Sequence, residues 1–368
     1  MLDFSDKQTD QYLPTISESE LSDEDVILEL AALKSELKNE VVVLGHHYQQ
    51  DDVIRFADVI GDSLALAQKA SKLKHPHIIF CGVHFMAETA DMLTSPSQKV
   101  ILPDLRAGCS MADMANEHEI NKAWKFLSEA SSKKIIPVTY INCDAKLKSF
   151  VGIHEGSICT SSNARKIITW ALNKGDKLMF FPDQHLGRNT CFEMGIPLEQ
   201  MVVYNPKIPN GGLTFSDVQN AKVILWYGYC SVHQGFKREH IDLIHKNDPN
   251  MKIIVHPECS FDVVSAADLN GSTSFIIDAI HNSPAGSKFA VGTEINLVNR
   301  LAAQYTDKKI ISLSPYQCLC TTMYRVRPRW LLASFRAIKK GQPINVISVP
   351  DKIKKDALMA LDRMLLNS

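Results

Sequence analysis

One pattern recurs three times along this chain, and it constrains the fold more than any other feature of the sequence. Each copy starts with a β-branched strand that ends in polar residues, continues through a turn that opens a helix, and closes with a strand leading to a cysteine. In the first copy Val41–Leu44 runs into Gly45-His46-His47-Tyr48 and Gly61-Asp62-Ser63 opens LALAQKASKLK. A strand at His77–Phe80, a helix from about Ala87 and a strand at Val100–Leu102 then lead to Cys109. In the second, IIPVTYIN from Ile135 is followed by Thr160-Ser161-Ser162-Asn163 opening ARKIITWALNK, then by LMFF with Pro182-Asp183, and by VILW ahead of Cys230. In the third, KIIVHPE from Lys252, Gly271-Ser272-Thr273 opening SFIIDAIHN, KFAVGTE and KKIISLS lead to Cys320. Strands alternating with helical periodicity in this way specify parallel βαβ units.

Spacing supports the repeat. Val41 to Cys109 and Lys252 to Cys320 each span 68 positions, whereas Ile135 to Cys230 spans 95. The excess falls near Lys148–Gly156 and in the Pro/Gly-containing stretch Pro197–Gln219, both expected as surface insertions. The expected fold is therefore α/β, three similar αβα domains with parallel sheets in a pseudo-threefold arrangement. The units are bounded at 39–128, 129–245 (with the insertions) and 246–328. Residues 1–38 form an extension in which Ser22-Asp23-Glu24-Asp25 is a capping-box signal for a helix over VILELAALKSEL, after about twenty loose residues. Residues 329–368 carry two closing helices, Pro328–Lys340 and Pro350–Leu366.

Composition excludes several functions. With 40 basic against 41 acidic residues the formal net charge is −1, so nothing draws in nucleic acid or an anionic membrane. Apolar residues make up 45% and charged residues 22%, which allows burial of a full core. No apolar run reaches the roughly 20 residues that span a bilayer, and MLDFSDKQTDQYLP lacks the regions of a signal peptide. The expected location is the cytoplasm, where nine cysteines are not a disulfide framework.

In parallel α/β sheets ligands sit beyond the carboxyl ends of the strands. The residues at those ends are His46, Tyr48 and Ser63; Tyr140, Asn142 and Ser161; and His256, Glu258, Ser272 and Thr273. They are hydrogen-bonding and proton-exchanging types. The GDS, TSSN and GST clusters open helices, whose free N–H groups and dipoles favour carboxylates and phosphates, so an anionic substrate is implied. Such residues also serve as ordinary N-caps; what argues for more is their matching place in three units.

One cysteine follows the last strand of each unit. Three thiolates do not fill a structural zinc site but suit a central [4Fe–4S] cluster with one iron open to substrate, a Lewis acid for C–O cleavage. No CxxC pair exists, so spacing alone does not separate these cysteines from buried apolar ones. Cys318 and Cys320 compete for the third place. Cys81, Cys143, Cys159, Cys191 and Cys259 are read as core or incidental.

The strings GHHYQ, GDSLALA, FCGVHFMAETA, AGCSMAD, CTSSNA, PDQHLG, WYGYCSVH, HPEC, GSTS and GTE, in this order over residues 39 to 330, resemble the quinolinate synthase family. The resemblance implies three αβα domains around a [4Fe–4S] cluster. It also implies condensation of iminoaspartate with dihydroxyacetone phosphate to quinolinate, a step in making NAD. It favours Cys109, Cys230 and Cys320 as ligands, the third because Met323 follows at the family's spacing. It makes His46, Tyr48, Ser63, Tyr140, Asn142, Ser161, His233, His256, Glu258, Ser272 and Thr273 substrate contacts. Glu258, His46 and Tyr48 take the acid–base work. Implied partners are L-aspartate oxidase as supplier of iminoaspartate and the iron–sulphur assembly machinery. The sequence departs from the family at His185, where Asn is usual, and in the longer second unit. Two other readings fit the same residues: another iron–sulphur hydro-lyase, or a cluster-based metabolite or oxygen sensor. A plain nucleotide-binding protein is disfavoured, because no G-x-G-x-x-G or P-loop follows a strand.

Overall fold

The computed structural model describes residues 21–316 and 318–367; the loose start expected for the first twenty residues lies outside them. Three sheets are present, and the chain divides into two compact units. Strands β1 (Val41–His46), β2 (Val59–Gly61), β3 (His77–Cys81) and β4 (Lys99–Ile101) form the first sheet. Strands β5 (Ile135–Tyr140), β6 (Ser157–Cys159), β7 (Lys177–Phe181), β8 (Met201–Tyr204) and β9 (Val223–Trp226) form the second. Strands β10 (Lys252–Val255), β11 (Leu269–Asn270), β12 (Lys288–Gly292) and β13 (Lys309–Ser312) form the third, and β14 (Val346–Ile347) returns to the first.

The three sheets share one strand order. Leaving aside β8 and β14, each runs second–first–third–fourth in parallel: β2-β1-β3-β4, β6-β5-β7-β9 and β11-β10-β12-β13. The central strands β1 and β5 are buried along their whole length. Strands covered on both faces read as unbroken apolar runs, which is why VVVL and IIPV were visible in the sequence. The short second strands β2, β6 and β11 were not foreseen. Nor were the edge strands: β8 pairs with β9, and β14 is antiparallel to β4.

The first unit comprises residues 21–61, 65–108 and 321–348. Its helix Asp23–Glu36 starts as expected, with the Ser22 hydroxyl accepting the Asp25 N–H at 3.1 Å. Leu30, Leu33, Val43, Ile79, Leu331 and Phe335 belong to one buried cluster, which joins this helix and the helix Pro328–Lys339 to the sheet. Arg336 grips Glu29 through two hydrogen bonds at 2.7 and 2.6 Å on the outer side of that contact.

The second unit comprises residues 62–64, 109–316, 318–320 and 349–367 and holds the second and third sheets. Its segment 148–156 is not a surface insertion. Most of it lies in the helix Ala145–Ile153, whose residues Leu147–Gly152 are all buried and which packs on the last helix, Asp351–Leu366. Lys148 is fully buried, and its ammonium donates to the Cys143 carbonyl. A side chain at Gly152 would place its Cβ 1.9 Å from the Asp356 carbonyl oxygen, so only glycine admits this helix contact.

Candidate active site

The third sheet changes winding direction between β10 and β12, and the loop after β10 contributes His256 and Glu258 to a cluster of titratable groups. Beyond β10 the chain turns through His256-Pro257-Glu258. The Glu258 N–H donates to His256 Nδ1 at 3.3 Å, so that ring carries its own hydrogen on Nε2 when neutral. His46-His47-Tyr48 after β1 repeats the device in the first unit: the Tyr48 N–H donates to His46 Nδ1 at 3.2 Å, and the two rings meet edge-on at 4.7 Å.

Glu258 is buried, at 4% exposure, with both oxygens engaged. The Tyr140 phenol, at the end of β5, donates to Oε1 at 2.7 Å. His233 Nδ1 lies 2.9 Å from Oε2, while its Nε2 is 3.3 Å from the Thr293 hydroxyl. His256 stacks on His233 at 4.5 Å between centroids, with its Nδ1 3.8 Å from Oε1. Burial opposes the charge on Glu258. The field of His233, with the hydrogen bonds from His233 and Tyr140, outweighs it and holds the carboxyl below the ordinary range. Burial pushes His256 down to about 3, so that imidazole is neutral near pH 7.

Amide side chains fix the loop that carries Glu258. Asn189, buried on the helix Gln184–Glu193, donates from one Nδ2 to the carbonyls of Pro257 and Cys259, each at 2.9 Å. Gln234 Nε2 donates to the carbonyl between them, that of Glu258, at 3.1 Å. Asp183 caps the same helix through Oδ1, and its buried Oδ2 has no partner. Burial first, then the charge of Glu258, raises its pKa well above the usual range. The two buried carboxyls are thus pushed in opposite directions, Glu258 below and Asp183 above the usual carboxylate range. Asn189, Gln234, Asp183 and Thr293 were missed as site residues. Asp183 and Thr293 lay in quoted motifs at strand ends, but nothing local marked Asn189 or Gln234.

The nine cysteines divide by exposure. Cys109, Cys230 and Cys320 are partly exposed, and the other six, Cys318 included, are buried. Cys230 Sγ, one ring nitrogen of His233 and a Glu258 oxygen all lie within 4.8 Å of one another. Desolvation pushes Cys109 up to about 12 and Cys230 well above its usual value. Cys109 is raised further by the charges of Cys320 and Glu258, and Cys230 by those of Glu258, Cys109 and Cys320. A one-turn 3₁₀ helix begins three residues after each: Ala112–Met114, His233–Gly235 and Met323–Arg325. Its first N–H donates to the sulphur of Cys109 and of Cys230. The Cys320 N–H donates to Glu294 Oε1 at 3.3 Å, and Glu294 caps the helix Ile295–Gln304. Cys318 belongs to the apolar cluster of the third sheet with Val255, Cys259 and Leu313, and Cys230 and Cys320 pack against that cluster.

The remaining sequence-predicted residues fall as follows. Ser63, Ser161 and Thr273 stand at or just before the starts of helices Ser63–Ala70, Ala164–Lys174 and Thr273–His281, and Ser272 caps the last by accepting the Phe275 N–H at 3.3 Å. Asn142 Oδ1 is buried without a partner. His185 lies on the helix capped by Asp183, and burial pushes it down to about 4. Among the described residues no helix is long and apolar enough to cross a membrane.

A parallel α/β scaffold that buries a carboxylate between a phenol and two imidazoles, beside partly exposed thiols, holds groups of the types enzymes use for proton transfer. The profile of the quinolinate synthetase A protein family matches residues 29–366, beyond both ends of the stretch that carried the motifs. Curated quinolinate synthases from Anoxybacillus flavithermus and Bacillus subtilis are 53% and 52% identical over 346 and 360 residues. These cover 94% and 98% of this chain, and 94% and 97% of theirs. One from a Geobacillus species is 51% identical over 347 residues, 94% of each chain. The chain belongs to the quinolinate synthase family.

Proposed function

We propose that this chain condenses iminoaspartate with dihydroxyacetone phosphate to quinolinate in the cytoplasm, on the route to NAD, with Glu258 as its principal proton-exchanging group. The observation that carries the reading is the environment of Glu258: a buried, ionised carboxylate held by Tyr140 and His233, faced by His256, with Cys230 alongside. A substrate bearing carboxylates raises the proton affinity of a neighbouring carboxylate, so binding itself shifts Glu258 toward the range in which a base is effective. Neutral His256 offers an Nε2–H donor, and Asn142 Oδ1 an acceptor without a protein partner. Ser63, Ser161, Ser272 and Thr273 are assigned to the substrate's anionic groups, where helix dipoles favour negative charge. His46 and Tyr48, matched by family motif, take further proton transfers.

The donor set fits an iron–sulphur cluster, because Cys109, Cys230 and Cys320 are the three partly exposed thiols, with Cys230 close enough to feel both of the others and Cys109 close enough to feel Cys320. A [4Fe–4S] cluster on these cysteines, delivered by an iron–sulphur assembly system, would supply a Lewis-acidic iron for the departing hydroxyl. L-aspartate oxidase is the supplier assigned to iminoaspartate. Anaerobically purified protein should carry about four irons per chain and form quinolinate from the two substrates. Single serine replacements at 109, 230 or 320 should bleach it, whereas Cys318→Ser should stay brown. Full iron content with no quinolinate formed would reject the activity; colour surviving one of the three replacements would reject that ligand.

A further inference from the structure

The helix starts of the three repeats are tied to one carboxylate. Asp62, between Gly61 and Ser63, is 8% exposed. Its Oδ2 accepts the Ser162 hydroxyl at 3.0 Å and the Ser274 hydroxyl at 2.7 Å, from residues 100 and 212 positions away along the chain. All three belong to the second compact unit. In each repeat the tied residue is the neighbour of a residue assigned above to the substrate: Asp62 beside Ser63, Ser162 beside Ser161, and Ser274 beside Thr273. Adjacent Cα atoms are 3.8 Å apart across a trans peptide, so tethering one of each pair confines the other to its neighbourhood. Ser162 lies exposed, with its hydroxyl donating to this carboxylate.

We propose that Asp62 is a positioning residue that sets the mutual spacing of the three helix starts, and thereby the fit of the site to its phosphate- and carboxylate-bearing substrates. The inference rests on the assignment of Ser63, Ser161 and Thr273 to substrate. A carboxylate suits the task because one oxygen accepts both hydroxyls at once and its charge is favoured at helix N-termini.

The test is steady-state kinetics of the iron-loaded enzyme with dihydroxyacetone phosphate varied. Asp62→Ala should raise KM at least about tenfold with kcat within about threefold, and the double variant Ser162→Ala/Ser274→Ala should do the same. Asp62→Asn, which keeps an acceptor oxygen, should restore KM to within about threefold. Should Asp62→Ala not fold, the double variant alone decides. An unchanged KM in the double variant, or a fall in kcat at constant KM, overturns the proposal. Ser161→Ala and Thr273→Ala separate the two levels of the argument. If neither raises KM, the substrate assignment fails and takes this inference with it; if both do while the Asp62 and double variants do not, only the positioning role is lost.

Discussion

Replacing Glu258 by glutamine removes one charge and almost nothing else. The carboxamide oxygen can take the place of Oε1 and still accept the Tyr140 phenol, now at 2.7 Å. The amide NH₂ then faces His233 Nδ1, now 2.9 Å from Oε2, and can donate to it once the imidazole hydrogen moves to Nε2. Thr293 Oγ1, 3.3 Å from Nε2, is there to accept that hydrogen. Both hydrogen bonds survive and a buried charge is lost, so stability should change by no more than about 1–2 kcal/mol in either direction. Glu258→Ala, by contrast, strands a buried phenol and an imidazole, costing about 2–4 kcal/mol. Catalysis should separate from stability. A general base contributes roughly 10²–10⁴-fold, or about 2.7–5.4 kcal/mol at 1.36 kcal/mol per decade. Anaerobic quinolinate formation by Glu258→Gln should fall by that factor, while the melting temperature and the iron content stay near those of the parent. Turnover within about threefold of the parent would refute the reasoning, and so would loss of activity that merely tracked loss of fold or of iron.

Asn189→Leu should remove the two bonds that hold Pro257 and Cys259, costing about 2–4 kcal/mol in denaturant unfolding and lowering kcat more than it raises KM; a KM effect alone would count against a role in placing Glu258. Because burial holds His256 near 3 in the folded state, against about 6.5 when unfolded, the unfolded chain binds more protons between those values. Stability present above about pH 6.5 should therefore drain away as pH falls toward 3, by a few kcal/mol from this group, and the melting temperature of His256→Asn should depend less on pH across that window. Gly152→Ala drives a methyl group into the Asp356 carbonyl and should cost at least about 2 kcal/mol, read as a lower melting temperature with KM unchanged; an unaltered melting temperature would contradict the close helix contact.

How much of this was legible in the sequence follows from burial. Central parallel strands must be apolar throughout, so nine strands stood out as β-branched runs, and polar residues just past their ends marked the functional edge. Val59–Gly61, Ser157–Cys159 and Leu269–Asn270 are two or three residues long, too short for any periodicity to register. The helix at Ala145–Ile153 was hidden by Lys148, whose charge suggests a surface although its ammonium is satisfied inside by the Cys143 carbonyl. Cys318 and Cys320 differ by two positions, and only the family spacing to Met323 favoured one of them. In the fold Cys318 is buried with Val255, Cys259 and Leu313, and Cys320, packed against the same cluster, is partly exposed with its N–H on Glu294.

The site itself was legible as residue types but not as bonds, and the shared strand order explains why the types sufficed. When the first and third strands of a unit are neighbours, whatever follows them in sequence is delivered to one place at the sheet's carboxyl edge. In the third sheet that rule brings His256 and Glu258, from after β10, close to Thr293, from after β12, with His233 bridging the two loops. In the second it puts Tyr140, at the end of β5, on the same edge as Asp183, after β7. A linear reading could find the ends but not which oxygen receives which proton. That depends on Asn189 and Gln234, far away in sequence, holding three consecutive carbonyls of the loop so that Glu258 meets Tyr140 on one side and His233 on the other. The repeat accounts for where the chemistry gathers; the buried amides account for its orientation.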